Sequence, residues 1–478
     1  MKIMVFSLGI VFPANVQGGS QKVLRELALL LGERGHFITI YCPRRNDNNV
    51  EFNLSPNVLV KPILPLKGSF PMPYDVSPYA LYDTCRLLLE AINGFDLLYC
   101  HDGGLCIEFV KNIIPTVISI RDFCYQETLL GALNFNQSAL IVNSDHTYHC
   151  LIDTFARINP SIKGKIHLIY NGYNPIFFAK QPTDINLLKQ MGLPEKKDFF
   201  AIGFPHRPQK EKGIANAIHV VNKLKKSHPN IRLLIPLYMD ISISTRTDDT
   251  YKFIREQIIE HNLQDIVIFH PWIKPQQMSQ YYSYCDVVLN IGDFVESFSN
   301  VAVESLLCET PVIAFDIATY RTIPIKRFIK IVDYGDIDTV SNIIADMIVR
   351  KKDGNPDDHY LKQARLYISE TLSPKKFVDQ YEELFKQIAE TANTTAKKSS
   401  HPLPSARNYY RLTAWCSYSN GYFYNDYDKK LYEDKFQGLL RSNTIPVPEE
   451  LLLSNNISKE TIHWFESQGI IVKVSNEE

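Results

Sequence analysis

The chain has 478 residues, with 51 Lys or Arg, 52 Asp or Glu and a formal net charge of −1. This balance argues against a general nucleic-acid binder, and the length exceeds one compact core, so we expect two domains and an additional segment. The 9 cysteines include no C-x-x-C pair and several lie in apolar runs, which is typical of buried thiols in a reducing compartment and disfavours a zinc site.

The first half of the chain begins with a strand–helix–strand pattern. Residues 3–8 form a short apolar run that predicts a buried strand rather than a signal peptide, because it ends at Gly9. Gly18-Gly19-Ser20 follows, then helical periodicity over residues 21–33 and a second strand over 37–41. Glycines at the mouth of such a helix let the backbone approach a ligand, although a plain tight turn is an alternative. Neither G-x-G-x-x-G nor a P-loop pattern is present, which disfavours an ordinary dinucleotide fold.

A proline-dense segment follows over residues 50–79. It contains six prolines, at positions 56, 62, 65, 71, 73 and 78. Because proline interrupts both helices and central strands, we expect a loop beside the site.

Polar residues then follow further predicted strands of the first half. These strands cover residues 96–100, 115–120, 139–143 and 166–170. His101 follows the first of them, and Arg121 and Asp122 follow the second. Parallel α/β sheets bind ligands beyond the carboxyl ends of their strands, so these three residues are acceptor-side candidates, with ordinary surface loops as the alternative.

A second strand–helix series begins after residues 180–198. Its first strand, 199–204, leads into a loop that carries Arg207 and Lys212, and a helix begins at Ile214. Two cations beside a helix start can hold a diphosphate and stabilise it as a leaving group. The alternative is a solvated charged loop.

Two glutamates eight positions apart mark the most informative part of the second half. Glu296 follows a strand predicted over residues 286–291, and Glu304 lies within an apolar helical run. The helix start offers unpaired amides and the positive end of a dipole, and both carboxylates can face one ligand. A ligand that is anionic at one end and rich in hydroxyls at the other, such as a nucleotide sugar, fits this arrangement.

Asp336-Ile337-Asp338 matches a D-x-D pattern that holds a metal in some enzymes. Here it precedes a helix predicted over residues 339–349, so we interpret the aspartate as a helix cap. We therefore assign no metal.

The C-terminal part of the chain departs from the strand–helix alternation. A linker rich in Ser, Thr, Lys and Pro leads into an aromatic-rich extension, in which residues 458–468 are predicted as a helix with Ser458 as cap and Gly469 as stop. A closing strand is predicted over 470–474. The aromatic residues of the extension include Tyr409, Tyr410, Trp415, Tyr418, Tyr422, Phe423, Tyr424, Tyr427 and Tyr432. They either pack a small domain onto the rest of the protein, or bind sugars or a partner.

Five segments in order resemble the GT-B glycosyltransferases, and most closely the retaining family 4, over roughly residues 1–395. They are Gly18-Gly19-Ser20 with Arg34-Gly35-His36; Val142-Asn143-Ser144; Ile169-Tyr170-Asn171-Gly172-Tyr173-Asn174; Arg207 with Lys212-Gly213; and Glu296 to Glu304 with Thr310-Pro311-Val312-Ile313-Ala314. The resemblance implies two Rossmann-like domains that face a cleft.

The expected domains are residues 1–180 for the acceptor, residues 181–372 for the donor, a crossover helix over 373–393, a linker over 394–407 and the extension over 408–478. By position, the family roles assign the catalytic residues as Glu296, Arg207 and Lys212. The donor-binding residues implied are Gly19, Arg207, Lys212, Glu296, Phe298, Ser299, Asn300 and Glu304. The resemblance also implies metal-independent transfer from a nucleotide-diphosphate sugar, with retention of anomeric configuration and no cofactor.

Some residues depart from the family pattern. Arg121-Asp122 stands where the family often has histidine, and arginine cannot act as a base, so Asp122, His101 or the leaving phosphate takes the acceptor's proton. Glu309 and Asp293 replace the more usual glycine and serine. These changes leave the donor's identity open.

The expected function is glycosyl transfer in bacterial surface glycan or glycoconjugate synthesis, to a glycan, a lipid-linked or a protein acceptor. A non-catalytic nucleotide-sugar-binding subunit and, less favoured, an epimerase are the alternatives. We expect a cytoplasmic protein without a transmembrane segment or nucleic-acid partner. Peripheral contact with the inner face of the membrane and partner contact through the extension remain open.

Overall fold

The computed structural model describes residues 1–16, 18–69, 72–103, 110, 112–182, 184–194, 199–207, 209–237, 244–354, 358–395 and 408–474. Pro71 and Pro208, residues 396–407 of the predicted linker and the last four residues lie outside these ranges. Within them, no helix is both long and apolar enough to cross a bilayer.

The described part of the first half forms one α/β layer structure. Its elements are β1 (Lys2–Ser7), α1 (Gly19–Glu33), β2 (Phe37–Pro43), β3 (Phe52–Ser55), β4 (Val58–Leu64), α2 (Pro78–Ala91), β5 (Leu97–His101), β6 (Thr116–Ile120), α3 (Gln126–Leu133), β7 (Ala139–Val142), α4 (Asp145–Asp153), α5 (Phe155–Ile158) and β8 (Ile166–Leu168). Their strands form a sheet in the order β3-β4-β2-β1-β5-β6-β7-β8, in which β3 alone pairs antiparallel among these described strands. The strand–helix alternation predicted here is confirmed.

The proline-dense segment is not the loop that we expected. Most of its first half forms β3 and β4, and Pro62 lies within β4, which pairs with both β2 and β3. The pairing of β4 with β3 reaches only Val60, opposite Phe52, so the edge of β4 is locally open at Pro62. A proline without an amide hydrogen is tolerated there for that reason.

The described part of the second half repeats the architecture. Its elements are α6 (Ile185–Gln190), β9 (Phe200–Gly203), α7 (Ile214–Leu224), β10 (Ile231–Leu237), α8 (Ser244–Glu260), β11 (Val267–Pro271), α9 (Met278–Tyr284), β12 (Val287–Asn290), α10 (Asn300–Leu307), β13 (Val312–Phe315), β14 (Lys330–Val332), α11 (Ile337–Lys352) and α12 (Asp358–Thr371). The strands form a parallel sheet in the order β11-β10-β9-β12-β13-β14. Asp336 caps α11 by accepting a hydrogen bond from the Thr339 amide at 2.9 Å, which confirms the capping interpretation.

The helix α13 (Pro374–Thr395) returns from the second half to the first. Its buried side chains Phe377, Tyr381 and Phe385 belong to the same core as Ile3 and Leu24. Burial of such large side chains against β1 and α1 stabilises the connection between the halves.

The extension forms a small unit with its own core. Its elements are β15 (Tyr409–Leu412), β16 (Cys416–Ser419), β17 (Tyr422–Asn425), β18 (Lys430–Glu433), β19 (Val447–Pro448), α14 (Glu449–Ser454), α15 (Lys459–Ser467) and β20 (Ile471–Val474). Ser458 caps α15 and Gly469 ends it with a φ of +68°, as predicted.

The aromatic residues of the extension serve different ends. Phe423 lies in its core, whereas the Trp415 ring contacts the ring of Tyr79 on α2, with centroids 6.0 Å apart. Tyr422 and Tyr427 are exposed. Packing onto the body therefore accounts for part of the aromatic set, and the binding interpretation remains open for the exposed members.

Candidate functional site

A cavity of about 330 Å³ lies between the two halves, and residues from both line it. The carboxyl ends of β5 and β6 supply Asp102, Arg121 and Asp122, while the segments after β9 and β12 supply Arg207, Lys212 and Glu296. The position beyond the strands' carboxyl ends is where open parallel sheets bind their ligands.

The glycine turn before α1 closely approaches the second half. A Cβ atom at Gly18 would lie 2.5 Å from an Nη of Arg207, and one at Gly19 would lie 2.6 Å from Nδ2 of Asn300. A side chain at either position would have to displace these ends of the Arg207 and Asn300 side chains, so the turn lies close to the opposite wall. The contact of Gly19 with a donor phosphate stays a prediction.

The loop after β9 contains a short 3-10 turn that carries Lys212. Lys210–Lys212 forms that turn, and Gly213 follows with a φ of +89° against the backbone of Ile291. The Nζ of Lys212 lies 2.7 Å from Oε1 of Glu296 and 3.8 Å from the centre of the Phe294 ring. Arg207 and Lys212 both line the cavity, where two positive charges favour an anionic ligand.

Glu296 lies in the loop between β12 and α10. Burial acts to raise its pKa, but the nearby charge of Lys212 and the hydrogen bond from Lys212 outweigh this effect and hold the pKa below its usual value. Burial and Lys212 also lower the pKa of His206 to about 4, and the ring contacts the carbonyl oxygen of Leu289 at 2.9 Å. At neutral pH the site therefore holds an ionised Glu296 beside an uncharged imidazole.

Glu304 is engaged at both carboxylate oxygens. Its Oε1 lies 2.5 Å from Nζ of Lys22, and its Oε2 accepts a hydrogen bond from the hydroxyl of Tyr282 at 3.0 Å. Lys22 comes from the first turn of α1, so this ion pair joins the two halves. We did not identify Lys22 from the sequence, although its place three residues after Gly19 is a usable signal.

Two residues at the start of α10 line the cavity. Phe298 lines it and packs parallel to Tyr173, with ring centroids 6.3 Å apart. Asn300 also lines it and accepts hydrogen bonds from Nδ2 of Asn171 at 3.0 Å and from the hydroxyl of Tyr173.

The hydroxyl of Ser299 has a structural role, and the donor contact predicted for this residue uses its backbone amide. The Ser299 hydroxyl caps α10 by accepting from the Ala302 amide, and it also accepts from the hydroxyl of Tyr320 at 2.7 Å. Serine is a preferred N-cap residue, and in this role its hydroxyl makes hydrogen bonds within the protein. Contact through the backbone amide stays a prediction.

The structure does not bring His101, an acceptor-side candidate, to the cavity. Its side chain is fully buried at the end of β5 and does not line the cavity. Its Nδ1 lies 2.9 Å from the Tyr99 hydroxyl and its Nε2 lies 2.9 Å from the Ser20 hydroxyl. Burial holds its pKa well below the usual value, so the ring supports α1 as a neutral group.

Arg121 and Asp122 both line the cavity. The buried guanidinium of Arg121 donates to Oδ1 of Asn171 and contacts the Tyr381 hydroxyl at 3.4 Å, which ties it to the crossover between the halves. Asp122 accepts a hydrogen bond from the Ser297 hydroxyl at 3.1 Å, and burial raises its pKa. Ser297 is a second residue that sequence reasoning missed, since a serine in a loop carries no distinctive pattern.

Two family models match the chain on either side of the cleft. The model described as Glycosyltransferase Family 4 matches residues 17–176, and the model described as Glycosyl transferases group 1 matches residues 188–353. The region 17–176 contains the Gly18-Gly19 turn. The region 188–353 contains Arg207, Lys212, Glu296 and Glu304.

Curated relatives match shorter stretches. A D-inositol 3-phosphate glycosyltransferase from Stackebrandtia nassauensis is 27% identical over 180 residues, which is 37% of this chain and 38% of the relative. One of the same name from an Arthrobacter species is 28% identical over 125 residues, which is 26% of this chain and 28% of the relative. The matches thus span well under half of the relatives' length.

Solved structures match most of the chain at low identity. Sucrose-phosphate synthase from Thermosynechococcus elongatus has a TM-score of 0.64 at 18% identity, covering 82% of this chain and 99% of its own. Anabaena HepE in complex with UDP and glucose has a TM-score of 0.62 at 18% identity, and the match covers 80% of this chain and 99% of the HepE chain. WaaG, a glycosyltransferase involved in lipopolysaccharide biosynthesis, has a TM-score of 0.59 at 14% identity, and the match covers 80% of this chain and 99% of the WaaG chain.

The two parallel sheets, the crossover helix α13 and these structural neighbours agree with the architecture that the sequence predicts. The chain belongs to glycosyltransferase family 4, the glycosyl transferases group 1, and has the GT-B fold.

Proposed function

We propose that the protein transfers a sugar from a nucleotide-diphosphate sugar to an acceptor hydroxyl, with retention of anomeric configuration. The observation that carries this proposal is one cavity lined by two cations, Arg207 and Lys212, and by two carboxylates, Glu296 and Glu304. A diphosphate matches the cations, and ribose and sugar hydroxyls match the carboxylates.

Each group then has a distinct part in the reaction. Arg207 and Lys212 bind the diphosphate and stabilise the charge that develops as its bond to the sugar breaks. Glu304 accepts hydrogen bonds from the ribose, after the ribose displaces Lys22 from its oxygen. Glu296 binds sugar hydroxyls, and its ion pair with Lys212 keeps the lysine beside the breaking bond.

The fixed cations supply the electrostatic stabilisation that a divalent metal gives in other enzymes. We therefore propose transfer without a metal or cofactor, and expect EDTA to leave the rate unchanged. The likeness to HepE makes UDP the first nucleotide to test, and the D-inositol 3-phosphate glycosyltransferases make a polyol phosphate the first acceptor. A cytoplasmic role in bacterial surface glycan synthesis, on glycan, lipid-linked or protein acceptors, completes the proposal.

A non-catalytic nucleotide-sugar-binding subunit is the second candidate. Arg121 motivates it, because this permanently charged side chain is held by Asn171 and Tyr381 and cannot accept a proton. Hydrolysis of the donor by the isolated chain distinguishes the two, since a binding subunit raises no rate of nucleoside diphosphate release.

The test combines binding with turnover. UDP, GDP, ADP and dTDP sugars are screened for an increase in melting temperature, which follows from binding to the native state. Arg207→Ala and Lys212→Ala are expected to lose the shift and to lower transfer at least tenfold. Lys210→Ala, in the same loop but outside the cavity lining, is the matched control and keeps both. Full transfer by the Lys212→Ala protein would refute the assigned site.

A further inference from the structure

Asp102 is a buried carboxyl on the first-half wall of the cavity. It directly follows β5, has 4% of its surface exposed and lines the cavity. Its Oδ1 has no hydrogen-bond partner among the residues that the structure describes. The residue also has a φ of +66°, a left-handed conformation that Asp and Asn tolerate better than most residues do.

The groups around Asp102 come from four elements. Asp122 after β6 and Glu127 on α3 are acidic, whereas Arg121 is basic and Ser20 on α1 donates a hydrogen bond to the carboxyl. Burial first and then the charge of Asp122 raise the pKa of Asp102 to about 7, against the opposing effects of Ser20 and Arg121. Cys124 and Tyr125, before α3, also interact electrostatically with Asp102, and burial raises the pKa of each, while the neighbouring His101 is buried and neutral.

An unpartnered carboxylate oxygen in a buried site is unfavourable, and a ligand that donates a hydrogen bond removes this cost. Asp102 lines the cavity, so a ligand bound there is placed to supply such a donor. On the opposite wall, the charge of Glu296 contributes to raising the pKa of Asp122, and both carboxyl groups line the cavity. The two halves therefore present hydrogen-bond acceptors to one cavity. Hydroxyl groups of a sugar satisfy such acceptors on both sides.

We propose that Asp102 is a specificity-determining residue that accepts a hydrogen bond from a hydroxyl of the transferred sugar, across the cavity from Glu296. The inference rests on the proposed function and assigns to the first half a direct contact with the donor sugar. Sugars that lack a hydroxyl at the contacted position are bound less tightly, because they leave the carboxyl unpaired.

The contact strengthens as pH rises. An ionised carboxylate is a stronger acceptor than a protonated carboxyl, and Asp102 ionises near neutral pH. The additional affinity that the sugar brings to a nucleoside diphosphate is therefore larger at pH 8 than at pH 6. Asp122, Glu127 and Arg121 face Asp102 and set where this transition occurs.

The experiment measures the sugar's contribution to affinity by calorimetry. Dissociation constants are determined for UDP and UDP-glucose, ADP and ADP-glucose, and GDP and GDP-glucose, at pH 6 and pH 8. The test variant is Asp102→Asn, which keeps the side-chain shape and the tolerance for positive φ but removes the charge. Asp153→Asn, an exposed position in the same half, is the matched control.

We expect Asp102→Asn to bind the free diphosphate within about twofold of wild type, and its glucose conjugate roughly tenfold more weakly at pH 8, the scale of a hydrogen bond to a charged group. The pH dependence of the sugar's contribution is expected to disappear in this variant. The control is expected to behave as wild type does.

Three results would overturn the inference. In the first, Asp102→Asn keeps the full sugar contribution; in the second, it weakens diphosphate and conjugate equally, which indicates a general structural effect. In the third, glucose adds no affinity to a diphosphate that the wild-type protein binds. Failure of the proposed function gives a different pattern, in which none of the three diphosphates binds wild type at all.

Discussion

At the scale of single residues, the site is built from two ion pairs, one across the cleft and one within the second half. Lys22 pairs with Glu304 and Lys212 pairs with Glu296, at 2.5 and 2.7 Å. Each pair places a cation and an anion where a ligand that carries both phosphates and hydroxyls can exchange with them. Ion pairs of this kind cost little to rearrange when the ligand provides equivalent partners.

Glu304→Ala tests the nucleotide end of the site. Because Glu304 is assigned to the ribose, we expect the change to weaken UDP and UDP-glucose by the same factor, roughly tenfold. Calorimetric titration of both ligands measures this. Glu256→Ala on the exposed face of α8 is the control. A loss confined to UDP-glucose would reassign Glu304 to the sugar.

Buried histidines predict how stability depends on pH. Burial lowers the pKa of His270 to about 4, so the folded state resists a proton that the unfolded chain binds near pH 6.5. Stability is therefore lost as pH falls from about 6.5 toward 4. In His270→Gln the loss between pH 7 and pH 5 is expected to be smaller by roughly 1–2 kcal/mol.

Urea unfolding at both pH values measures the difference between the two proteins. His261→Gln, which changes a histidine at the end of α8, is the comparison, and it should retain the wild-type loss. Equal losses for His270→Gln and wild type would show that His270 does not contribute.

At the scale of elements, the second-half wall of the cavity contains a loop-to-helix junction fixed by a close backbone contact. Gly213, the residue before α7, has a φ of +89°, and a Cβ atom there would collide with the backbone of Ile291 after β12. This contact sets the position of Lys212 relative to Glu296. The glycine is required by conformation and by space together.

Gly213→Ala is expected to destabilise the protein and to weaken donor binding. Gly335→Ala is the matched control, because Gly335 also has a positive φ, +81°, but no atom of the described residues lies within 4 Å of its added Cβ. The control should lose about 1 kcal/mol for the backbone conformation alone, and Gly213→Ala should lose more. Thermal unfolding and UDP titration compare them, and equal losses would exclude the contact with Ile291 as a constraint.

At the scale of the whole molecule, two later segments pack against the first half. Helix α13 completes its core, and the extension contacts α2 through Trp415 and Tyr79. Tyr79 is 4% exposed and also abuts Gly469, where an added Cβ would lie 2.7 Å from the ring. The contact between α2 and the extension is therefore closely packed.

Tyr79→Ala is expected to loosen the extension, since removal of a large buried ring costs about 3 kcal/mol or more. Hydrogen exchange measures this as faster amide exchange in β15 and β20, with little change in β9 or β12. Trp464→Ala, which truncates an exposed ring of α15, is the control. Unchanged exchange in the Tyr79→Ala protein would show that the extension is held by other contacts.

The sequence alone predicted the strand–helix alternation, the cap at Asp336, the end of α15 at Gly469 and the GT-B architecture, because these depend on local periodicity, local turn geometry and ordered family motifs. Contacts between distant parts of the chain were not predictable in this way. Only the tertiary structure pairs Lys22 with Glu304 and engages the side chains of Ser299 and His101 in hydrogen bonds within the protein. It also places Pro62 in β4 beyond the end of the pairing with β3. It also left Oδ1 of Asp102, a cavity-lining residue, without a partner among the described residues, since which atoms meet across a cleft depends on how the two sheets pack and not on any segment of sequence.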